Sequence, residues 1–250
     1  MSKKTSINKI TDLSLIGNGD CLALMKMLSD ASVDLILTDP PYNLGLFMKK
    51  RGTNIKGMRD NHFAYAGWDD LEYKKWRTEM KKFLTECHRV LKKRGALLMF
   101  MSIIKVETII ELATNAGLYY KTVGIWHKTN PMPRNMNLHF INSTEPWLYF
   151  INDAATGTFN NNGKPIHDYV ETSTISAIEH KIGGHPTQKP KSLLEHFVKI
   201  LTNEGDTVLD PFMGSGSTGV VCEYTNRKFI GFELNNDYYK TAEDRIIKKI

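Results

Sequence analysis

Apolar residues in this chain fall into short blocks of two periodicities. Near-continuous apolar runs at 13–16, 33–38, 96–100, 119–126, 147–151, 207–210 and 228–232 have the length of strands buried on both faces. Between them, apolar positions recur every three or four residues at 22–28, 71–91, 105–116, 192–201, 220–224 and 235–249, which predicts helices. Lys92-Lys93-Arg94-Gly95 reads as the stop of helix 71–91, where positive charge favours the helix dipole. Gly117 reads as the cap of helix 105–116. Strands alternating with helices predict an α/β, doubly wound, mostly parallel sheet. The 119–126 and 147–151 strands read as an antiparallel pair at its edge. Two stretches lose periodicity. Residues 43–70 carry Lys49, Lys50, Arg51 and the aromatics Phe47, Phe63, Tyr65 and Trp68, and are too long for an idle connection, so they read as a functional loop or a disordered segment. Residues 152–184 are rich in Asn, Gly and Thr.

The chemistry sits where strands end. The run at 33–38 leads into Asp39-Pro40-Pro41-Tyr42. Ligands of open α/β sheets bind outside the carboxyl ends of strands. Two prolines fix the backbone and leave the carbonyls before them free to accept. An acid, a rigid acceptor-rich turn and an aromatic face suit a flat ring bearing an exocyclic NH2, with Tyr42 stacking on the ring. A Pro-terminated strand with an aromatic plug is the structural alternative.

The strand at 207–210 runs into Pro211-Phe212-Met213-Gly214-Ser215-Gly216-Ser217-Thr218-Gly219, and the next strand ends at Glu233. A glycine-rich turn between strand and helix lets backbone approach a ligand. An acid ending the following strand can hold both hydroxyls of a ribose. Gly214-x-Gly216-x-x-Gly219 with Glu233 also matches a dinucleotide fingerprint. Asp210, however, would repel a pyrophosphate and suits the ammonium of an amino acid. No second nucleotide-binding half follows before Ile250. A nucleoside joined to an amino acid, S-adenosylmethionine, fits these residues better.

In that order, Asn18-Gly19-Asp20-Cys21-Leu22, Asp39-Pro40-Pro41-Tyr42-Asn43, Trp126-His127-Lys128-Thr129-Asn130-Pro131-Met132-Pro133-Arg134-Asn135, His185-Pro186-Thr187-Gln188-Lys189-Pro190, the stretch from Asp210 to Thr218, and Gly231-Phe232-Glu233 span nearly the whole chain. The sequence thereby resembles the β-class DNA amino-methyltransferases, above all the type II adenine-N6 enzymes. The resemblance implies a seven-stranded methyltransferase sheet with circularly permuted motif order, the catalytic tetrapeptide preceding the cofactor loop. It implies catalysis by Asp39, Pro40, Pro41 and Tyr42 on a flipped-out adenine. Asp at position 39 resembles the adenine enzymes; the cytosine-N4 enzymes more often carry Ser there.

For the cofactor, the resemblance places Asp20 at the adenine with Cys21 beside it. Asp210, Phe212, Gly214, Ser215 and Gly216 flank the amino-acid moiety, Glu233 binds the ribose, and Lys189 binds the carboxylate. Asp20 equally suits capping the helix that follows, and His185 suits a satisfied core position. Trp126 and Trp147 read as core. Target recognition falls within 128–184, with Lys128, Arg134, Asn135, Asn137 and His139 as candidates for bases or phosphates. The chemistry needs no metal.

Composition agrees with this and removes other classes. The 250 residues, 41% hydrophobic and 24% charged, suit a single globular methyltransferase domain, 1–250. A net charge of +6 permits double-stranded DNA as partner. Cys21, Cys87 and Cys222 lack metal-ligand spacing and read as reduced thiols of a cytoplasmic protein. No apolar signal core follows the basic Met1–Thr5 stretch, and no run reaches membrane-span length. A homodimer and a cognate restriction endonuclease are left open as further partners. A cytosine-N4 enzyme of the same class, a dinucleotide oxidoreductase and a catalytically silent DNA-binding module are the alternatives.

Overall fold

The computed structural model describes residues 6–44, 71–132, 140–176, 179, 184 and 188–250. Lys49, Lys50, Arg51, Arg134, Asn135, Asn137, His139 and His185 lie outside them, as do the loop residues 45–70.

The described strands are β1 (Ile7–Lys9), β2 (Ser14–Asn18), β3 (Val33–Thr38), β4 (Leu91–Phe100), β5 (Leu118–Lys128), β6 (Thr144–Asn152), β7 (Tyr169–Thr172), β8 (Thr207–Asp210) and β9 (Lys228–Glu233). The helices are α1 (Cys21–Met25), α2 (Tyr73–Val90), α3 (Val106–Asn115), α4 (Lys191–Leu201), α5 (Ser217–Tyr224) and α6 (Asn236–Lys248). Among the described residues the strands form one nine-stranded sheet in the order β1-β2-β9-β8-β3-β4-β6-β5-β7. Its seven inner strands are those the sequence predicts, and the short β1 and β7 extend the two edges. Neighbours from β2 to β4 run parallel, while β6 is antiparallel to both β4 and β5.

The central strands β3 and β4 are apolar on both faces because helices cover both. In β3, Leu35 and Leu37 join one core while Val33 and Ile36 join the other. In β4, Ala96, Leu98 and Phe100 alternate with Leu97 and Met99 in the same way. Helices α4, α5 and α6 supply Phe197, Val220 and Ile246 to the first core, and α1, α2 and α3 supply Met25, Phe83 and Ile109 to the second. In α2, Trp76, Met80, Phe83, Leu84, Cys87 and Val90 make one buried stripe at helical spacing.

The basic cluster after α2 is not a helix end. Strand β4 begins at Leu91, and its pairing with β3 shifts between Val33↔Leu91 and Leu35↔Ala96. Lys92, Lys93 and Arg94 occupy that bulge, with Arg94 at φ 68. A Cβ on Gly95 would lie 2.9 Å from the Lys92 carbonyl oxygen, so glycine is required where the bulge closes. The Lys92 ammonium lies 2.8 Å from the Asp34 carboxylate, and Arg94 Nε donates to the Thr156 carbonyl.

Topology fixes the site. From β8 the chain crosses through α5 to β9 on one side; from β3 it crosses through α2 to β4 on the other. Neighbours β8 and β3 therefore flank the point where the winding reverses, the place where such sheets bind ligands.

Candidate active site

Four acids line the carboxyl edge of the parallel strands. They are Asp20 after β2, Glu233 ending β9, Asp210 ending β8 and Asp39 after β3, in the spatial order of those strands. A cleft of about 460 Å³ opens between the last two, lined by Thr38, Asp39, Phe100, Gln188, Lys189, Asp210, Phe212 and the Gly214–Ser215 turn.

Asp210 is 6% exposed. Its carboxylate accepts from the hydroxyls of Thr38 (3.1 Å) and Thr218 (2.8 Å) and from the Phe212 amide (3.2 Å). Burial pushes its pKa up to about 7 even against these donors. A cation is what this acid lacks. Because the folded value lies above the ordinary carboxylate value, the stability it contributes is complete below about pH 4 and is lost as pH rises through about 7. Asp210→Asn, whose amide keeps the same shape without a charge, is therefore expected to gain melting temperature over the parent as pH rises from about 5 to about 8 without ligand. Melting curves at both pH values check this; a gap that is constant with pH contradicts it.

Glu233 accepts from Gly214 N (3.0 Å) and Asn235 N (2.7 Å), so its carboxylate is fixed against the glycine-rich turn. Burial raises its pKa, and the backbone donors oppose this. Asn18 Nδ2 donates to the Glu233 carbonyl at 2.8 Å and Gly19 N does so at 3.0 Å, which ties the β2 end to the β9 end. The turn itself is held from behind. Gly216 has φ 80, and a Cβ there would meet Ala242 of α6 at 2.9 Å. Arg245 of α6, 1% exposed, donates from Nη1 to the Ser215 carbonyl (2.6 Å) and to Ser217 Oγ (3.2 Å). Ser215 Oγ donates to Gln188 Oε1 at 3.0 Å. Among the described residues Gln188 Nε2 is buried without a hydrogen-bond partner beside the cleft, a donor that a bound carboxylate would satisfy.

Asp20 is exposed and caps α1, accepting from Ala23 N at 3.0 Å. That is the helix-capping role its local sequence allows. Cys21 is buried, and burial pushes its thiol up, so it stays neutral. Phe212 lines the cleft and packs edge-on to Phe83, with centroids 5.3 Å apart.

At the tetrapeptide, the Tyr42 hydroxyl donates to Asp39 Oδ1 at 2.6 Å and also contacts Glu145 Oε1. Lys189 puts its ammonium on Asp39 Oδ2, 3.0 Å from Glu145 Oε1 and 4.9 Å from the Phe100 ring centroid. Two of its three N–H bonds thus go to Asp39 and Glu145. Burial lifts the Asp39 carboxyl above the ordinary range; Lys189 opposes this and Glu145 adds to it. Against burial, the Lys189 and Lys128 ammoniums hold Glu145 down at about 2.

Lys128 is turned inward. Its ammonium lies 2.9 Å from Glu145 Oε2 and 4.8 Å from the Trp126 ring centroid, and 19% of its side chain is exposed. The reason is register: β5 and β6 pair Trp126 with Glu145, which leaves Lys128 beside an acid that needs a cation. Trp126 and Trp147 are core, 3% and 6% exposed.

Glu145, Gln188 and Arg245 complete the site and were not singled out from sequence. For Glu145 a signal exists, an acid opening an otherwise apolar strand. Arg245 sits on an amphipathic helix and gives no such signal.

The fold and this row of acids define an S-adenosylmethionine-dependent methyltransferase. A family model for DNA methylases of the N6/N4 type matches residues 33–244, and the chain belongs to that family. It is 30% identical over 242 residues to the type II methyltransferase M2.DpnII of Streptococcus pneumoniae, covering 93% of this chain and 89% of that protein. The M1.HpyAVI–S-adenosylmethionine complex superposes with a TM-score of 0.67 at 26% identity, covering 92% of this chain and 98% of that one. The PvuII DNA methyltransferase, described as cytosine-N4-specific, shares the fold with a TM-score of 0.74 at 19% identity, covering 96% and 94%. The cofactor is S-adenosylmethionine and the substrate is DNA. Among the described residues no helix is long and apolar enough to cross a membrane.

Proposed function

We propose that the chain is a site-specific adenine-N6 methyltransferase of double-stranded DNA. The observation that carries this is the carboxylate of Asp39 at the cleft, one β-strand away from the ammonium-seeking Asp210. Bound along the row of acids, S-adenosylmethionine supplies an electrophilic methyl on a sulfonium. Everything else falls to the chain. Asp210 takes the cofactor's ammonium, Glu233 its ribose hydroxyls, Asp20 and Cys21 the adenine edge, and Gln188 with Lys189 the carboxylate.

The adenine amino lone pair is delocalised into the ring, so the free base is a poor nucleophile. Asp39 and a carbonyl of the Asp39-Pro40-Pro41 turn accept its two N–H bonds, which localises the lone pair towards the methyl. Catalysis is then mainly positioning and electrostatics. Asp39 need not take the proton before attack, because the methylated nitrogen is strongly acidic. The target must leave the duplex stack, at a cost of about a few kcal/mol. Stacking on Tyr42 returns roughly 1–3 kcal/mol. In this reading residues 43–70, with Lys49, Lys50 and Arg51, contact phosphates, and Arg134, Asn135, Asn137 and His139 lie in the recognition region. A second copy of the chain and a cognate restriction endonuclease are its further partners.

The test is expression in a methylation-free bacterial host, followed by sequencing with detection of base modifications. The expected product is N6-methyladenine at one short motif. N4-methylcytosine would overturn the adenine assignment while leaving the family intact.

A further inference from the structure

Two carboxylates, one phenol and two ammoniums meet around Asp39, and the phenol hydrogen cannot serve both acids. Glu145 Oε1 receives Lys189 and the Tyr42 hydroxyl, while Glu145 Oε2 receives Lys128 at 2.9 Å. Asp39 Oδ1 faces the same Tyr42 hydroxyl at 2.6 Å, and Asp39 Oδ2 faces Lys189. A phenol has one hydrogen and can serve one carboxylate at a time. Lys189, with three hydrogens, serves both acids at once. Asp39 and Glu145 therefore compete for the Tyr42 hydrogen, and Glu145, alone in also holding Lys128, is the stronger competitor.

We propose that Glu145 is a positioning residue for methyl transfer, the alternative acceptor that takes over the Tyr42 hydroxyl when Asp39 turns to the target amino group. Without it, Asp39 keeps the Tyr42 hydroxyl as well as Lys189, and an acid already committed to two donors is a weaker acceptor for the substrate N–H. Strand β6 holds Glu145 rigidly across from Trp126, so the handover needs no backbone movement. The inference rests on the reading that Asp39 faces the target amine.

The groups around Asp39 make two opposite signatures. Tyr42, Lys189 and, from β8, Asp210 face it besides Glu145, with Lys128 behind Glu145. The Glu145 charge raises the Asp39 carboxyl, whereas the Tyr42 hydroxyl and Lys189 lower it. Glu145→Gln should therefore move the acid limb of the pH–rate profile to lower pH, and Tyr42→Phe should move it to higher pH. Single-turnover methylation of unmethylated bacterial genomic DNA, with radiolabelled S-adenosylmethionine and prebound enzyme, reads both.

The expected result for Glu145→Gln is a plateau rate lowered about tenfold, with S-adenosylmethionine affinity within about twofold of the parent, since Glu145 is not assigned a cofactor contact. The two substitutions should also be non-additive, because both act on one hydroxyl link. A merely structural role moves melting temperature and leaves the limb in place. If Glu145→Gln does not fold, Glu145→Asp, which keeps the charge but withdraws the carboxylate from Tyr42, should lower the plateau rate in its place, and an unchanged plateau overturns the proposal. Acid limbs unmoved, or moved in the same direction in both variants, overturn the proposal. Absence of transfer by the parent protein removes the reading of the site and this inference with it; an active parent with unmoved limbs removes the inference alone.

Discussion

Asp39→Ala is expected to lose methyl transfer by at least ~100-fold, with cofactor affinity little changed, the scale set by removal of one preorganised transition-state contact. In the proposed mechanism the acid accepts from the target amine, and alanine offers nothing in its place. The fold should survive, because Lys189 keeps Glu145 3.0 Å away as a second counter-ion and is not left as an unpaired buried charge. Asp39→Asn separates charge from geometry. Its amide oxygen can still accept one N–H, so it should fall between alanine and the parent. Transfer assays run beside calorimetric titration with S-adenosylmethionine check both. Near-parental turnover by Asp39→Ala would take this residue out of the mechanism.

The cofactor side carries the second large effect. Glu233→Ala should weaken S-adenosylmethionine binding by about 10–100-fold, the loss expected when a charged hydrogen-bonding partner of about 1.5–3 kcal/mol is removed. Asp210→Ala should do the same through the lost ammonium contact. Mass action makes this visible in melting. At a cofactor concentration of about 100 times the parental Kd, the parent gains about 2.7 kcal/mol; a variant binding ~100-fold more weakly gains only about 0.4 kcal/mol. Both carboxylates also hold backbone groups, Gly214 N and Asn235 N for Glu233 and Phe212 N for Asp210. The informative quantity is thus the cofactor-induced shift of each variant against its own ligand-free melting point. A protein stabilised by NAD and indifferent to S-adenosylmethionine would contradict the assignment of both acids.

Strand β3 and strand β8 match the sequence reading at both ends, since six and four residues of near-continuous apolar character can only be buried on two faces. Asp39, Asp210 and Glu233 were legible for a related reason: each directly follows or closes such a strand, so a local pattern places it on the ligand edge. The edges of the sheet were less legible. β7 contains a single buried residue, Val170, and three-residue β1 contains none, so neither carries an apolar pattern. The bulge at Lys92–Arg94 was misread because a basic run after a helix looks the same whether it ends the helix or opens a strand; the pairing with β3 decides.

By itself, the sequence determined the order of strands and helices, the turn after β3, the glycine-rich turn after β8 and the acids at the ends of β3, β8 and β9. These are properties of contiguous residues, set by periodicity and by the chemistry of one turn at a time. Tertiary structure alone decided which charges meet. Lys189 reaches Asp39 across 150 positions of sequence, and Tyr42 reaches Glu145 across 103. Lys128 turns inward only because β5 lies beside β6. Partnerships of that kind depend on which strands become neighbours and in what register. A one-residue slip would send Glu145 to the opposite face of the sheet and dissolve the cluster.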